Sequence, residues 1–320
     1  MTDDVGAAPY RCAPAAQARG DDPVATAPPA PRWFLIEQPG PWGRNALRES
    51  LLDSGVAGAL AQRAAVAGVR IVLIRRPGRS APAPRRWGYA DTHLGREGLW
   101  WGTYDDDADL LGVPLDGSEG TLSTAPALLV CAHGRHDPCC AMRGRPVAAA
   151  LAQAYPDATW ECSHVGGDRF AANLVVLPHG LYYGHMTPEL ALTAVKAYGE
   201  GRVLASALRG RASLSPAVQA AQHHARIAIR DGVLGREVLQ PDAQGSGSRA
   251  DEDGLAALWP VAVEHLDETT SRVVLAHDGS LLHVTVRCER APAEVLTCGA
   301  PEASAARRWR LTDLAVETGV

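Results

Sequence analysis

The chain has 320 residues, of which 46% are hydrophobic and 21% are charged, with a formal net charge of -5. This composition indicates a globular protein large enough for more than one core, without the basic stripe that nucleic-acid binding requires. No apolar run reaches the ~20 residues of a membrane span, and the acidic N-terminus lacks the apolar segment of a secretory signal. We therefore expect a cytoplasmic protein that binds neither nucleic acid nor membrane.

The seven cysteines are the second compositional signal. In the cytoplasm, closely spaced cysteines bind metals or take part in redox chemistry more often than they form disulfides. The odd total also argues against a framework built of disulfides alone.

Residues 1–32 are rich in Ala, Pro, Asp and Gly and have no sustained periodicity. This pattern predicts an extended arm that is partly disordered. Cys12 lies alone in this arm, and we interpret it as an incidental thiol.

Residues 33–125 form the predicted N-terminal α/β region. A short strand at Trp33–Glu37, a helix capped by Asn45 and ended by Gly68, and a strand at Val69–Ile74 follow one another. This order predicts a βαβ unit with parallel strands. Two further short strands near residues 87–90 and 99–104 complete the region.

Residues 126–210 show the clearest alternation of strand and helix patterns. The predicted strands are 127–132, 159–162, 173–177 and 181–185, and the predicted helices are 141–154 and 187–198. The order β-α-β-loop-β-β-α is compatible with a thioredoxin-like topology. The N-terminal βαβ unit is a candidate degenerate relative of this block.

Residues 211–320 are predicted to contain a helix, a linker and a small α+β region. The amphipathic pattern at 215–230 predicts the helix, and the composition of 240–252 is typical of a flexible linker. A helix near 255–266, a hairpin of 273–276 with 281–286, and a strand or helix near 309–316 follow.

Two loops of the central block carry side chains that can bind a metal. These are Cys131, Cys139 and Cys140 on one loop, and Cys162, His164 and Asp168 on the other. Iron and zinc prefer thiolate and imidazole ligands. Both loops follow the C-terminal ends of adjacent predicted strands, which brings two pairs of ligands together, as a two-iron cluster requires. Zinc binding and a metal-free thiol pair at Cys139 and Cys140 are the alternatives.

The sequence resembles the sucrase/ferredoxin-like proteins, whose core is a thioredoxin-like [2Fe-2S] ferredoxin. The motifs that carry the resemblance are VCAHGRHDPCCAMRGRP, ECSHVGGDRFAAN and NLVVLPHGLYYGHMTPE. It is specific over about 126–200, looser upstream, and not recognisable beyond about 210. It implies an α/β fold in which a thioredoxin-like ferredoxin domain follows the N-terminal βαβ region.

The resemblance also implies which residues hold the cluster. In related ferredoxins the second cluster cysteine precedes a glycine-containing helix start, which Cys140 matches loosely and better than Cys139. The second ligand pair is C-x₃-C or, in relatives with histidines, H-x₃-H, and counting back from Asn173 places it at His164 and Asp168.

The fourth ligand is therefore open. Asp168 fits the alignment but departs from both family patterns, whereas Cys162 offers a softer donor. Mixed Cys/His ligation raises the reduction potential of such a cluster above that of an all-cysteine one.

The leading hypothesis is an electron-transfer protein with one [2Fe-2S] cluster that exchanges electrons with a redox partner protein, either a reductase or an electron-accepting enzyme. A zinc-stabilised binding module and an enzyme, reductase or hydrolase, with an accessory cluster are the alternatives. The sequence offers no acid/base carboxylate pair for glycoside hydrolysis, which favours a redox carrier over a stand-alone enzyme. The oligomeric state is not specified by the sequence.

Overall fold

The computed structural model of the chain describes residues 9–78, 84–231, 254–255, 257–300 and 302–318. The helices in these residues are α1 (Cys12–Arg19), α2 (Ser54–Ala67), α3 (Pro138–Ala154), α4 (Pro188–Gly199) and α5 (Pro216–Arg230). None of these helices combines the length and the apolar character that crossing a bilayer requires.

The strands belong to two sheets. Their bounds are β1 (Arg32–Glu37), β2 (Arg70–Arg75), β3 (Arg85–Asp91), β4 (Gly98–Tyr104), β5 (Thr121–Leu122), β6 (Ala127–Cys131), β7 (Thr159–Cys162), β8 (Leu174–Leu177), β9 (Leu181–Tyr183), β10 (Leu208–Arg211), β11 (Trp259–His265), β12 (Thr270–His277), β13 (Ser280–Glu294) and β14 (Ser304–Thr318). Ten strands form a mixed sheet in the order β10-β9-β8-β6-β7-β2-β1-β3-β4-β5, and β11 to β14 form a separate antiparallel sheet. The mixed α/β class predicted from the sequence is confirmed.

The large sheet contains the same strand arrangement twice. In the N-terminal half, β1 pairs in parallel with β2 and antiparallel with β3, which pairs antiparallel with β4. In the central half, β6 pairs in parallel with β7 and antiparallel with β8, which pairs antiparallel with β9. The halves join where β2 and β7 run antiparallel, with Ile74 opposite Cys162. The N-terminal half contains no cysteine.

Local capping decides where two helices begin. Helix α2 begins at Ser54, because the Asp53 side chain accepts a hydrogen bond from the backbone N–H of Val56. The prediction that Asn45 caps this helix is therefore wrong. Gly68 ends the helix in the left-handed conformation, as predicted.

Helix α3 begins earlier than the sequence pattern predicts. Asp137 is its N-cap, and Pro138 occupies the first helical position, where the missing N–H of proline has no cost. Cys139 and Cys140 therefore lie in the first turn of α3 rather than in the preceding loop. This placement fixes the direction of both thiols.

Alternate residues of β6 enter different cores. Leu128 and Val130 pack with residues of α3 and α4 on one side of the sheet. Leu129 and Cys131 face the other side, in a core that includes Cys12 of α1. Helix α1 lies in the segment for which composition predicts a partly disordered arm. Residues 1–8 of that arm lie outside the described residues.

The C-terminal sheet packs against α5, which also contacts β10. The predicted hairpin around Asp278 and Gly279 is confirmed, since β12 and β13 pair antiparallel on either side of this turn. The predicted helix near 255–266 is wrong, because residues 259–265 form β11 and pair with β12. Sheet pairing overrides the helical composition of this segment. The predicted linker at 240–252 lies outside the described residues.

Candidate metal centre

The sequence-predicted ligands meet at one end of the parallel strands β6 and β7. Cys131 is the last residue of β6 and lies opposite Cys162, the last residue of β7. The loop after β7 carries His164 and leads to Asp168, which begins a short 3-10 helix. The first turn of α3 supplies Cys140.

Five side chains form what we call the five-donor site: Cys131, His136, Cys140, His164 and Asp168. The donor atoms of Cys131, Cys140 and His164 lie within 4.8 Å of one another, and so do those of His136, His164 and Asp168. His164 belongs to both groups and joins them. Of the sequence-predicted candidates, Cys139 and Cys162 belong to neither group.

Asp168 is the central acceptor of the five-donor site. Its Oδ1 accepts a hydrogen bond from Sγ of Cys140 at 3.2 Å and lies 2.9 Å from Nδ1 of His164. Its Oδ2 lies 3.6 Å from Nε2 of His136. The rings of His136 and His164 are stacked, with centroids 3.7 Å apart. Asp168 is therefore in contact with a thiol and with both imidazoles.

Electrostatics favour the charged forms of Cys131, His164 and Asp168 and the neutral form of Cys140. Burial opposes protonation of His164, but Asp168 and Cys131 outweigh it and raise the pKa of His164 to about 9. For Asp168, contacts with His136 and His164 outweigh burial and lower the pKa of the carboxyl. The hydrogen bond from Cys140 outweighs burial and lowers the pKa of the Cys131 thiol, whereas the pKa of Cys140 is raised. These contacts favour the thiolate form of Cys131 and the carboxylate form of Asp168 beside a protonated His164.

The residues fit a metal or a metal cluster. The Cys131 and Cys140 thiols and the Asp168 carboxylate are buried, and they come from separate elements. Nδ1 of His164 is also buried and lies 2.9 Å from Oδ1 of Asp168, where the two donor groups meet. Two thiols, an imidazole nitrogen and a carboxylate oxygen form a donor set that iron and zinc accept.

His133, which lies outside the five-donor site, fixes the loop that carries His164. The backbone N–H of His164 donates to Nδ1 of His133 at 3.3 Å, and Nε2 of His133 lies 2.6 Å from the carbonyl oxygen of Gly43. This network assigns the His133 proton to Nε2. Burial lowers the pKa of His133, which keeps the ring neutral and Nδ1 available as an acceptor.

Arg70 and the loop after β1 support the same segment. The Arg70 guanidinium donates to the carbonyl oxygen of His164 at 3.1 Å. Trp42 packs edge-on against His133, with centroids 5.9 Å apart. The N-terminal half therefore positions the donor loop although it contributes no donor.

Close packing holds the loops around the site. A Cβ atom at Gly144 would lie 2.1 Å from the carbonyl oxygen of Cys131, so only glycine lets α3 approach β6 this closely. Gly167 has a φ of +82°, and a Cβ there would lie 2.4 Å from the Arg209 guanidinium. Arg209 is buried and donates to the carbonyl oxygen of Gly166 and to Oδ1 of Asn173.

The other two cysteine candidates lie apart from the five-donor site. Cys162 is fully buried next to Cys131, and burial raises the pKa of its thiol. Cys139 faces a second donor group with Cys12, Asp137 and Cys298. Neither Cys12 nor Cys298 is a candidate from sequence, since each is isolated there. All seven cysteines are free.

Comparison with known proteins agrees with these motifs. A family model described as Sucrase/ferredoxin-like matches residues 23–210, more than half of the chain. No curated protein and no solved structure matches this chain significantly. The chain therefore belongs to the sucrase/ferredoxin-like family.

Proposed function

We propose that this member of the sucrase/ferredoxin-like family is an electron-transfer protein. In this proposal it carries one [2Fe-2S] cluster, held by Cys131, Cys140, His164 and Asp168. The observation that carries the proposal is the convergence of two buried thiols, a buried imidazole nitrogen and a buried carboxylate at the ends of β6 and β7. Thiolate and imidazole are the ligands of known two-iron centres.

We further propose that the central half is a thioredoxin-like domain. The strand order β9-β8-β6-β7, the parallel pair joined by α3 and the antiparallel pair followed by α4 support this interpretation. The repeated arrangement of β1 to β4 supports a degenerate second copy without donors.

Asp168 is the preferred fourth ligand. It already contacts Cys140 and lies close to His164, whereas Cys162 lies in neither donor group of the site. His136 is better placed to orient Asp168, since Nε2 of its ring lies 3.6 Å from the carboxylate. Oxygen is a harder donor than sulfur, so this ligand distinguishes the chain from relatives with C-x₃-C or H-x₃-H.

When bound, the cluster supplies a one-electron redox centre. The chain's own residues hold the ligands at fixed positions: His133 and Arg70 anchor the His164 loop, and Gly144 lets α3 approach β6. Burial of Cys131, Cys140 and Asp168 excludes water from three of the four proposed ligands. His164 is the more accessible one, with 28% of its side chain exposed.

The redox partner is proposed to approach the exposed edges of His136 and His164. Both histidines line a groove whose other wall comes from the loop after β1, including Arg44 and Glu49. This is the face on which a proposed ligand lies closest to solvent. A partner protein docked there would have the shortest path to the centre.

The test is the optical and metal analysis of protein purified without oxygen. We expect visible absorption between roughly 400 and 600 nm, as iron–sulfur centres give, together with iron and acid-labile sulfide in equal amounts. Cys131→Ser should abolish both. Cys288→Ser is the matched control, because Cys288 lies in neither donor group. A colourless wild-type protein that contains zinc in the five-donor site would overturn the proposal.

A further inference from the structure

Four side chains from three distant segments form a second donor group, which we call the Cys12 site. It consists of Cys12 at the start of α1, Asp137 and Cys139 at the start of α3, and Cys298 between β13 and β14. Their donor atoms all lie within 4.8 Å of one another. Cys12, Asp137 and Cys139 are buried, and Cys298 is partly exposed.

The donor atoms of the Cys12 site lie slightly closer together than the ligands of a tetrahedral zinc ion. Sγ of Cys298 lies 3.4 Å from Sγ of Cys139 and 3.5 Å from Sγ of Cys12. Sγ of Cys12 lies 3.4 Å from Oδ2 of Asp137. Tetrahedral zinc with Zn–S bonds of ~2.3 Å and a Zn–O bond of ~2.1 Å places sulfurs ~3.8 Å apart and sulfur and oxygen ~3.6 Å apart. A small outward movement of each donor atom would therefore make room for a tetrahedral zinc ion.

Asp137 is held in place before any ion binds. Its Oδ1 accepts the backbone N–H of Cys139 at 2.8 Å, and its Oδ2 accepts the backbone N–H of Cys298 at 2.7 Å. The carboxylate therefore links the two cysteine-bearing segments and faces the three sulfurs. Such hydrogen bonds fix the orientation of a metal-binding carboxylate.

We propose that Cys12, Asp137, Cys139 and Cys298 bind one zinc ion. The donor set of three sulfurs and one oxygen suits zinc, which takes Cys and Asp ligands in four-coordinate structural sites. Cys298 is the exposed donor through which the ion would enter. Asp137 and Cys139 lie within residues 23–210, which the family model matches, whereas Cys12 and Cys298 lie outside them. The site therefore combines two donors of the matched region with one from each flanking segment.

Charge balance is consistent with a structural ion. Binding releases the three thiol protons to solvent, and Zn²⁺ with three thiolates and one carboxylate carries a net charge of −2. The N-terminus of α3 places its positive dipole end at this point.

A disulfide explains the group less well than an ion. A disulfide would consume two of the three sulfurs and leave the third thiol facing the buried carboxylate. Zinc uses all four donors and closes a link between residues 12 and 298 through the start of α3. The same turn of α3 carries Cys140, so the ion would also stabilise one wall of the five-donor site.

The test is the metal content of the full-length protein purified with a thiol reductant and without added metal. We expect one zinc per chain, and we expect Cys298→Ala and Cys12→Ala to lose it while iron and visible absorption stay unchanged. Cys288→Ala is the matched control and should keep both metals. Cys131→Ala should lose iron and keep zinc, which separates this proposal from the electron-transfer proposal.

A second measurement guards against variants that fail to fold. Wild-type protein that keeps its iron but has been stripped of zinc should remove one equivalent of Zn²⁺ from a chromogenic chelator, and modification of Cys298 with iodoacetamide should prevent this uptake. Zinc retained in both Cys12→Ala and Cys298→Ala would overturn the proposal. So would additional iron in place of zinc, or a disulfide among the three cysteines in the reduced preparation.

Discussion

Cys139 and Cys140 are adjacent in sequence, but their thiols face different donor groups. Sγ of Cys140 donates to Asp168 at 3.2 Å, whereas Sγ of Cys139 lies 3.4 Å from Sγ of Cys298. Successive residues of a helix point ~100° apart, so the first turn of α3 serves two sites. A vicinal cysteine pair thus supplies one ligand to each of two proposed centres.

Serine substitutions of these two cysteines should have separate effects. We expect Cys140→Ser to lose all cluster iron and visible absorption, because it removes a buried sulfur donor that we propose as a cluster ligand. Cys139→Ser should keep the visible spectrum and lose zinc. Iron and zinc analysis of the two variants checks this prediction, which fails if both variants lose the same metal.

Substitutions at Asp168 and Cys162 identify the fourth ligand. We expect Asp168→Ala to lose the cluster, because the central acceptor of the five-donor site disappears. Asp168→His, which creates the H-x₃-H spacing, should retain visible absorption. Cys162→Ala is the comparison variant, and the iron content of all three should be measured. Iron lost from Cys162→Ala but kept by Asp168→Ala would reverse the assignment.

Replacing His164 by cysteine should lower the reduction potential. A thiolate adds negative charge where imidazole is neutral, and the difference between Rieske and all-cysteine centres suggests a decrease on the order of 100–300 mV. Spectroelectrochemical titration of His164→Cys measures it. His179→Gln, at a histidine outside the site, should leave the potential unchanged. An unchanged potential in His164→Cys would show that His164 is not a ligand.

Loss of Arg209 should destabilise the protein. Its buried guanidinium donates to Gly166, Asn173 and Thr26, and no carboxylate of the described residues lies within salt-bridge distance of it. We expect Arg209→Gln to destabilise the protein by about 3 kcal/mol, because one buried and three partly buried acceptors lose their donor. Urea unfolding measures the change. Arg230→Gln, at an exposed arginine paired with Asp231, is the control and should change stability by less than about 0.5 kcal/mol.

Two half-buried histidines, His179 and His223, should make the fold sensitive to acid. Burial, reinforced by Arg211 for His179 and by His224 for His223, lowers the pKa of each to about 4. Histidines of the unfolded chain have a pKa of about 6.5. Between about pH 4 and 6.5 the unfolded chain therefore binds more protons than the folded chain. The contribution of these two histidines to the free energy of unfolding is therefore fully present above about pH 6.5 and is lost as the pH falls through about 4.

The matched variants are His179→Gln and His223→Gln. Each should show a smaller loss of melting temperature than the wild type when the pH is lowered from 7 to 5. Gln is suited to position 179 because its amide oxygen can still accept from the Tyr198 hydroxyl, which lies 2.7 Å from Nδ1 of the histidine. Equal losses in the wild type and both variants would contradict the prediction.

Local patterns predicted most of the large sheet. The apolar runs of β1, β2, β6 and β8 and the terminating Gly68 are short-range signals, and their elements form close to the predicted bounds. Local patterns did not reveal that the predicted helix near 255–266 is wrong. Its composition suits a helix, and only pairing with β12 makes residues 259–265 a strand.

The sequence by itself determined that Cys131 and His164 lie at the ends of adjacent parallel strands. Strand and helix periodicities are local signals, and the order β-α-β that they indicate predicts a parallel pair of neighbouring strands. Only the tertiary structure shows that the Asp168 carboxylate, and not the Cys162 thiol, lies within 4.8 Å of the donor atoms of His136 and His164, since this depends on where the loop after β7 turns. The Cys12 site depends on tertiary structure entirely. Cys12 and Cys298 are separated by 286 residues, and no local pattern encodes a contact that forms only when α1, α3 and the C-terminal segment pack together.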